Sequence, residues 1–221
     1  MDKIITVDGP SGVGKGTLSQ WLCEHTKFVL LDSGAIYRAL AYGSMIENIA
    51  TDDVTKLVSL ANKLPISFEK TKILYDDKDA TPSIRNEKTA AVASIIAAIP
   101  KVRQALLARQ KNFYNQSAGL IADGRDMGTE VFPEAAVKLF LTASPEERAK
   151  RRVLQLKNQG VNAKLTQITR DIEQRDERDR TRTASPLIPA SDAIVIDTSF
   201  LSIEEVCEVA NKAIDDKGIL N

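Results

Sequence analysis

A chain of 221 residues, 43% of them hydrophobic, is long enough for one α/β domain with small insertions and a well-filled core. Its 30 basic and 30 acidic side chains balance, which excludes a global field that would draw in nucleic acid or a membrane surface. The longest apolar stretch, Ala90 to Pro100, is too short to cross a bilayer, and the N-terminus runs straight into a strand rather than a signal peptide, so a soluble, cytoplasmic protein is expected.

Ile4 to Asp8 is a short β-branched run that reads as a buried strand, and Leu18 to Glu24 begins a helix. Between them lies GPSGVGKGT, comprising Gly9, Pro10, Ser11, Gly12, Val13, Gly14, Lys15, Gly16 and Thr17. Strand, glycine-rich turn and helix form the setting of a phosphate-binding P-loop. Gly9, Gly12 and Gly14 allow a tight turn that aims successive N–H groups at phosphate oxygens. The helix adds its positive end, and Lys15 reaches the β- and γ-phosphates as a point charge. Gly16 stands where the general pattern has a hydroxyl, and Thr17 supplies it one place later; KGT is the ending associated with nucleoside monophosphate kinases. His25, the only histidine, fits a helix C-terminal position better than a catalytic triad. Cys23 and Cys207 have no metal-ligand spacing and read as small buried hydrophobes of a reducing compartment.

Further runs at Phe28–Asp32, Gly119–Asp123, Val137–Thr142 and Ala193–Asp197 also read as strands, with helical segments between them. They do not alternate, which suits strands covered on both faces of a parallel, doubly wound sheet. Four of the five runs end in aspartate, at positions 8, 32, 123 and 197, and the carboxyl ends of such strands are where ligands bind. After the second run, Ser33 could cap the next helix, while Arg38 lies about one turn in and could fork onto a phosphate or simply face solvent. Leu64 to Arg85 contains two short β-like runs, Ile66 to Glu69 and Lys72 to Tyr75, and reads as a small antiparallel insertion.

The third strand closes on Asp123 in the manner of a Walker B aspartate, which holds Mg²⁺ directly or through water, and Arg125 and Asp126 follow on a turn bounded by Gly124 and Gly128. Ser144, Pro145 and Glu147 form a capping-box start. In the helix they open, Arg148, Arg151 and Arg152 share a face, which reads either as a polyphosphate clamp on a lid or as a solvated ion-pair face. Val153 to Lys164 is polar around Gly160 and could be a mobile flap or an ordinary connection. In the next helix the inner stripe of Leu165, Ile168 and Ile172 continues at the same spacing into Arg175, Asp179 and Arg182. Charges on a core-facing line should meet a polar ligand in a cleft, unless the helix leaves the body there and its end is wet, whereas Glu173, Asp176, Glu177 and Arg180 read as solvated. Residues 146–182 carry 11 basic and 7 acidic side chains, a modest excess with no aromatic platform for bases, so an RNA-binding module is disfavoured.

Taken together, GPSGVGKGT (9–17), LDSGAIYR (31–38), ADGRDMGT (122–129) and QRDERDRTR (174–182) resemble the bacterial cytidylate (CMP) kinases over residues 2 to about 215. The insertion looks like that family's enlarged NMP-binding region, which the shorter eukaryotic UMP/CMP kinases lack. The resemblance implies a P-loop NTPase fold, a five-stranded parallel sheet flanked by helices. Its core would be 1–36, 87–150 and 183–221, with an NMP-binding region at about 37–86 and a short lid at about 151–164. It implies ATP as donor, held by Lys15 and the loop backbone, and transfer to CMP or dCMP with Mg²⁺. Thr17 and Asp123 are the candidate metal contacts. Arg38 and Arg125 would hold the CMP phosphate, with Ser33 nearby. Ser94, Arg103 and Asp126 would read cytosine, and Asp179 and Arg182 the sugar. Arg175 would join the phosphates on closure, and Arg148, Arg151 and Arg152 would be lid arginines, Arg151 and Arg152 acting catalytically. No nucleic acid or membrane partner is implied, and a monomer is expected. A GTPase switch is the rival within P-loop proteins, but residue 16 is glycine and no Asn-Lys-x-Asp motif occurs.

Overall fold

The computed structural model describes residues 3–69, 72–115, 117–158 and 160–220. In chain order its elements are β1 (Ile4–Asp8), α1 (Lys15–Thr26), β2 (Val29–Asp32), α2 (Ser33–Ile46), α3 (Val54–Lys63), β3 (Ile66–Glu69), β4 (Lys72–Tyr75), β5 (Lys78–Asp79), α4 (Thr81–Ile84), α5 (Glu87–Ile96), α6 (Pro100–Asn115), β6 (Leu120–Asp123), a π-helical turn (Met127–Val131), β7 (Val137–Thr142), α7 (Pro145–Asn158), α8 (Leu165–Thr181), β8 (Ile194–Asp197) and α9 (Ile203–Lys217). They fall into two compact units, Met1–Leu31 with Phe113–Asn221, and Asp32–Asn112.

A five-stranded sheet of order β2-β6-β1-β7-β8 organises the first unit. β1 pairs parallel with β6, Val7 opposite Asp123, and with β7, Asp8 opposite Phe140; β7 in turn pairs parallel with β8. Parallel pairing puts Asp8, Asp123 and Asp197 at one end of the sheet. β1 is buried throughout, and its pleat divides the work between two faces. Ile5 and Val7 join Leu18 and Leu22 of α1 and Val206, Ala210 and Ile214 of α9 in one apolar cluster. On the other face, Thr6 and Asp8 meet the turn at Gly128.

The expectation of strands covered on both faces holds at the centre and fails at the edges. Val29 of β2 is 46% exposed, and Ile194 and Val195 of β8 are 41% and 56% exposed. An edge strand has one neighbour and thinner cover, but its β-branched run looks the same in sequence. α9 starts on a full capping box: Ser202 caps the Glu205 N–H and the Glu205 carboxylate returns to the Ser202 N–H at 2.7 Å. The box expected at Ser144 is half formed. Its hydroxyl accepts from the Glu147 N–H at 3.2 Å, but its own N–H donates to Ser199 Oγ instead.

In the second unit, β3, β4 and β5 form an antiparallel sheet, matching the expected insertion and adding a short third strand. Lys70 and Thr71, between the first two of these strands, lie outside the described residues. α2 carries Gly43, where a Cβ would stand 2.3 Å from the Tyr75 hydroxyl, so that only glycine lets the ring lie against the helix. The cap of α2 is Asp32, which accepts from the Ala35 N–H at 2.9 Å, rather than Ser33. Ser33 is the first helical residue, and its hydroxyl donates to Gln110 of α6 at 2.9 Å. Among the described residues no single helix is long and apolar enough to cross a membrane. The apolar α5 and the more polar α6 that follows it turn by 105° and bury Ala90, Ala93, Ile96, Val102 and Leu106.

Candidate functional site: a braced anion-binding loop

The loop between β1 and α1 takes the shape its glycines allow. Gly9, Gly12 and Gly14 have φ of 142°, 83° and 96°, and Gly14 is the N-cap of α1. Gly9 is the most constrained, because a Cβ there would lie 2.1 Å from the Leu141 carbonyl oxygen. The loop's carbonyls are held by side chains: Pro10 O accepts from Lys15 Nζ at 2.8 Å, Ser11 O from Arg148 Nη1 at 3.2 Å and Val13 O from Thr198 Oγ1 at 2.9 Å. Carbonyls anchored in this way leave the loop's N–H groups and the start of α1 to an anion.

Lys15 is buried, and its ammonium is pushed down to about 7, first by desolvation and then by the Arg125 and Arg175 guanidiniums, while Asp123 and Asp8 oppose them. A cation held at such cost awaits a polyanion that would restore its charge. Asp8, at the end of β1, is a site residue that the motifs alone do not mark. Its carboxylate accepts the N–H groups of Met127 at 2.9 Å and Gly128 at 2.8 Å, so it fixes the turn after β6 to the strand before the P-loop. Burial raises its carboxyl to about 7 despite these bonds, with Asp126 adding to the rise. The aspartate-terminated strand was the available signal.

Arg125 Nε donates to Asp179 Oδ2 at 3.2 Å, and Arg175 Nε lies 3.9 Å from the same oxygen. The charged continuation of the α8 stripe therefore meets the turn after β6, with Asp179 buried as the common anion. Arg182 ends α8 and donates to Ser185 O at 2.6 Å. Gly124 and Gly128 serve close packing rather than freedom of the turn: a Cβ on the first would strike Met127 at 2.7 Å, and on the second Thr6 Oγ1 at 2.9 Å. Asp126 is buried at the head of the π-helical turn.

Two readings of charged residues need correction. Asp176 is buried rather than solvated, and it forms a bidentate ion pair with Arg148. Arg148 is 2% exposed and so does not share a solvent-facing clamp with its neighbours. Arg151 instead donates to the Thr198 carbonyl and hydroxyl, and Arg152 Nη1 to Gln155 Oε1. The polar segment expected from Val153 is helical through Asn158, which leaves only a short link before α8; Gln159 lies outside the described residues.

In the second unit, Arg103 Nη1 donates to Ala97 O at 3.0 Å, and its guanidinium lies 5.5 Å from the centre of the Tyr37 ring. The tyrosine of DSGAIYR thus supplies a platform for Arg103 that spacing alone does not reveal. Arg38 Nη1 lies 3.4 Å from Arg85 O, and Ser94 is buried on α5. Back in the first unit, Asp123 ends β6 half-buried, with Ser19 Oγ 3.3 Å from its Oδ2, and Thr17 is exposed on the first turn of α1. Among the described residues no three His, Cys, Asp or Glu side chains converge on one point. One accessible carboxylate and a hydroxyl beside an anion nest suit Mg²⁺, which takes its remaining ligands from phosphate and water. His25 stacks on Trp21 at 4.9 Å, Cys207 lies in the apolar core, and Cys23 is half-buried against it.

A family model described as cytidylate kinase matches residues 5–216. A cytidylate kinase of Pasteurella multocida is 51% identical over 92% of this chain and 91% of its own. One from Aeromonas hydrophila is 50% identical over 93% and 91%, and one from Vibrio vulnificus 46% identical over 97% and 96%. A crystal structure of an uncharacterized protein from Eubacterium ventriosum superposes with a TM-score of 0.51 at 15% identity, covering 98% of this chain and 99% of that one, a likeness of fold alone. On a family match spanning nearly the whole chain and relatives at half identity, the protein belongs to the cytidylate kinase family.

Proposed function

We propose that the protein transfers the γ-phosphoryl group of ATP to CMP or dCMP, giving ADP and CDP or dCDP. The observation that carries this reading is the braced loop, whose carbonyls at Pro10, Ser11 and Val13 are tied back beside a buried Lys15 with a depressed pKa. That arrangement is suited to a nucleotide polyphosphate, and the family supplies the acceptor. An oxygen of the CMP phosphate attacks the γ-phosphorus, the bond from the γ-phosphorus to the bridging oxygen breaks, and the electron pair leaves on ADP. The attacking oxygen is already anionic at neutral pH, so no general base is required. Catalysis is then alignment and charge neutralisation.

Lys15 and the loop 9–17 hold the donor, and Arg125, Arg151, Arg152 and Arg175 balance the charge that develops. Asp179 keeps Arg125 and Arg175 oriented at its shared carboxylate, and with Arg182 it is the proposed sugar contact. In the second unit Arg38 is the proposed phosphate contact and Ser33 a neighbour to the acceptor. Ser94 and Arg103 are proposed to read the base, as is Asp126 in the first unit. Thr17 and Asp123 would hold Mg²⁺, which supplies neutralisation of the phosphates when bound. Movement of the lid over about 151–164 would exclude water from the γ-phosphoryl group. A monomer in the cytoplasm, without nucleic acid or membrane partners, completes the reading.

Phosphorus NMR of protein with ATP, Mg²⁺ and CMP tests it. Resonances of CDP and ADP should grow together. Release of inorganic phosphate without CDP would replace the kinase by a nucleotide hydrolase.

A further inference from the structure

Arg148 turns all three of its side-chain nitrogens to acceptors inside the protein. Its Nε donates to Ala143 O at 3.0 Å, just past β7; Nη1 donates to Ser11 O at 3.2 Å and to Asp176 Oδ1 at 3.0 Å, and Nη2 to Asp176 Oδ2. Its aliphatic base lies against the loop so closely that a Cβ on Gly12 would come within 3.2 Å of Arg148 Cβ. One buried side chain therefore touches the segment that leaves β7, the P-loop and the middle of α8. Asp176 adjoins Arg175 in sequence and lies one turn before Asp179, the residue that orients Arg125.

A buried ion pair is a poor device for stability alone, since well-packed apolar side chains of similar volume commonly do as well or better. What apolar residues cannot do is donate to the Ser11 carbonyl or fix an angle between loop and helix. Building on the donor reading of the P-loop, we infer that Arg148 and Asp176 are a positioning pair. Arg148 holds the Ser11 peptide with its carbonyl turned back and its neighbours' N–H groups set for phosphate. Asp176 ties that setting to α8, so that the loop which receives the donor and the helix which carries Arg175 and Asp179 move as one.

The test compares the native protein with Asp176→Asn, Arg148→Lys and the paired replacement Arg148→Met with Asp176→Leu. For each, KM for ATP, KM for CMP, kcat and Tm are measured, with direct ATP binding by calorimetry. Asp176→Asn should lower Tm by roughly 10 °C, because it leaves a buried cation uncompensated. It should also raise KM for ATP about tenfold, the worth of one good hydrogen bond, with KM for CMP changed less than about twofold. The paired replacement should recover most of the Tm and none of the ATP affinity, whereas Arg148→Lys, which keeps a donor, should recover part of it. Recovery of both Tm and ATP affinity in the paired replacement would overturn the proposal and leave the pair merely structural. Native protein that binds no ATP would instead sink the donor reading beneath it.

Discussion

Replacing Lys15 with methionine should stabilise the unliganded protein while disabling it. Burial and the nearby Arg125 and Arg175 lower the Lys15 ammonium from 10.5 to about 7. At about 1.4 kcal/mol per pH unit, that difference sets a ceiling of about 5 kcal/mol on the cost of folding around the charged lysine. Loss of the hydrogen bond to Pro10 O takes back about 2 kcal/mol, leaving a net gain of about 2–3 kcal/mol, or about 5–10 °C in Tm. The sign depends on pH. Below about 7 the lysine is charged in both states, so folding carries the whole cost. Between about 7 and 10.5 the unfolded chain keeps a proton that the folded one has released, so the native protein gains stability as pH rises and the advantage of methionine closes. Asp8 titrates over a lower but overlapping window: its carboxyl is raised from 3.8 to about 7, so its contribution falls away as pH rises through that range and is complete only about one unit above 7, which leaves the change from about pH 8 to 10 to Lys15. Thermal melts of both proteins from pH 7 to 10 make the assay, with kcat expected to fall at least about 100-fold. A variant that melts lower than native at pH 7, or a gap that does not narrow towards pH 10, would show that Lys15 carries no such folding cost.

Gly9→Ala should cost more than about 3 kcal/mol, because a Cβ 2.1 Å from a main-chain oxygen at a φ of 142° has nowhere to go; urea unfolding with an unchanged m-value would show it. Ser202→Ala should remove the capping box of α9 and lower stability by about 1 kcal/mol without altering turnover, read by chemical denaturation and steady-state rates. Cys23, whose thiol burial pushes up to about 11 from 9.0, should be alkylated at pH 8 roughly 100-fold more slowly than an unhindered thiol of ordinary pKa; mass spectrometry of a timed iodoacetamide reaction would measure the ratio.

Much of this architecture was written in local pattern. Short apolar runs, four of the five closing on aspartate, mark the places of the sheet strands, and the glycines of 9–14 with Lys15 mark the anion nest from sequence alone. The 3-and-4 spacing from Ile168 through Ile172, Arg175 and Asp179 tracks the inward face of α8, but Leu165, where the stripe begins, is 44% exposed on the first turn. The same rule misplaced Asp176, because a helix buries a face broader than one line and the partner that neutralises it, Arg148, is 28 residues away. Arg148 itself looked like a member of an arginine cluster, and only the tertiary position of Ser11 and Ala143 reveals that its donors face inward. Which strands lie at the sheet's edges was equally hidden, since Val29 and Val195 belong to runs as apolar as those at the centre. Asp32 displaced Ser33 as the cap because both can accept from the first turn, and Gln110, distant in sequence, engages the serine hydroxyl.

The central claim is acceptor choice, and a coupled assay of ADP formation with ATP, Mg²⁺ and each of CMP, dCMP, UMP, AMP and GMP tests it most directly. Turnover should strongly favour CMP and dCMP. Equal or faster turnover with UMP or AMP would contradict the cytosine assignment while leaving the loop's role intact, and no acceptor-dependent turnover at all would contradict the kinase.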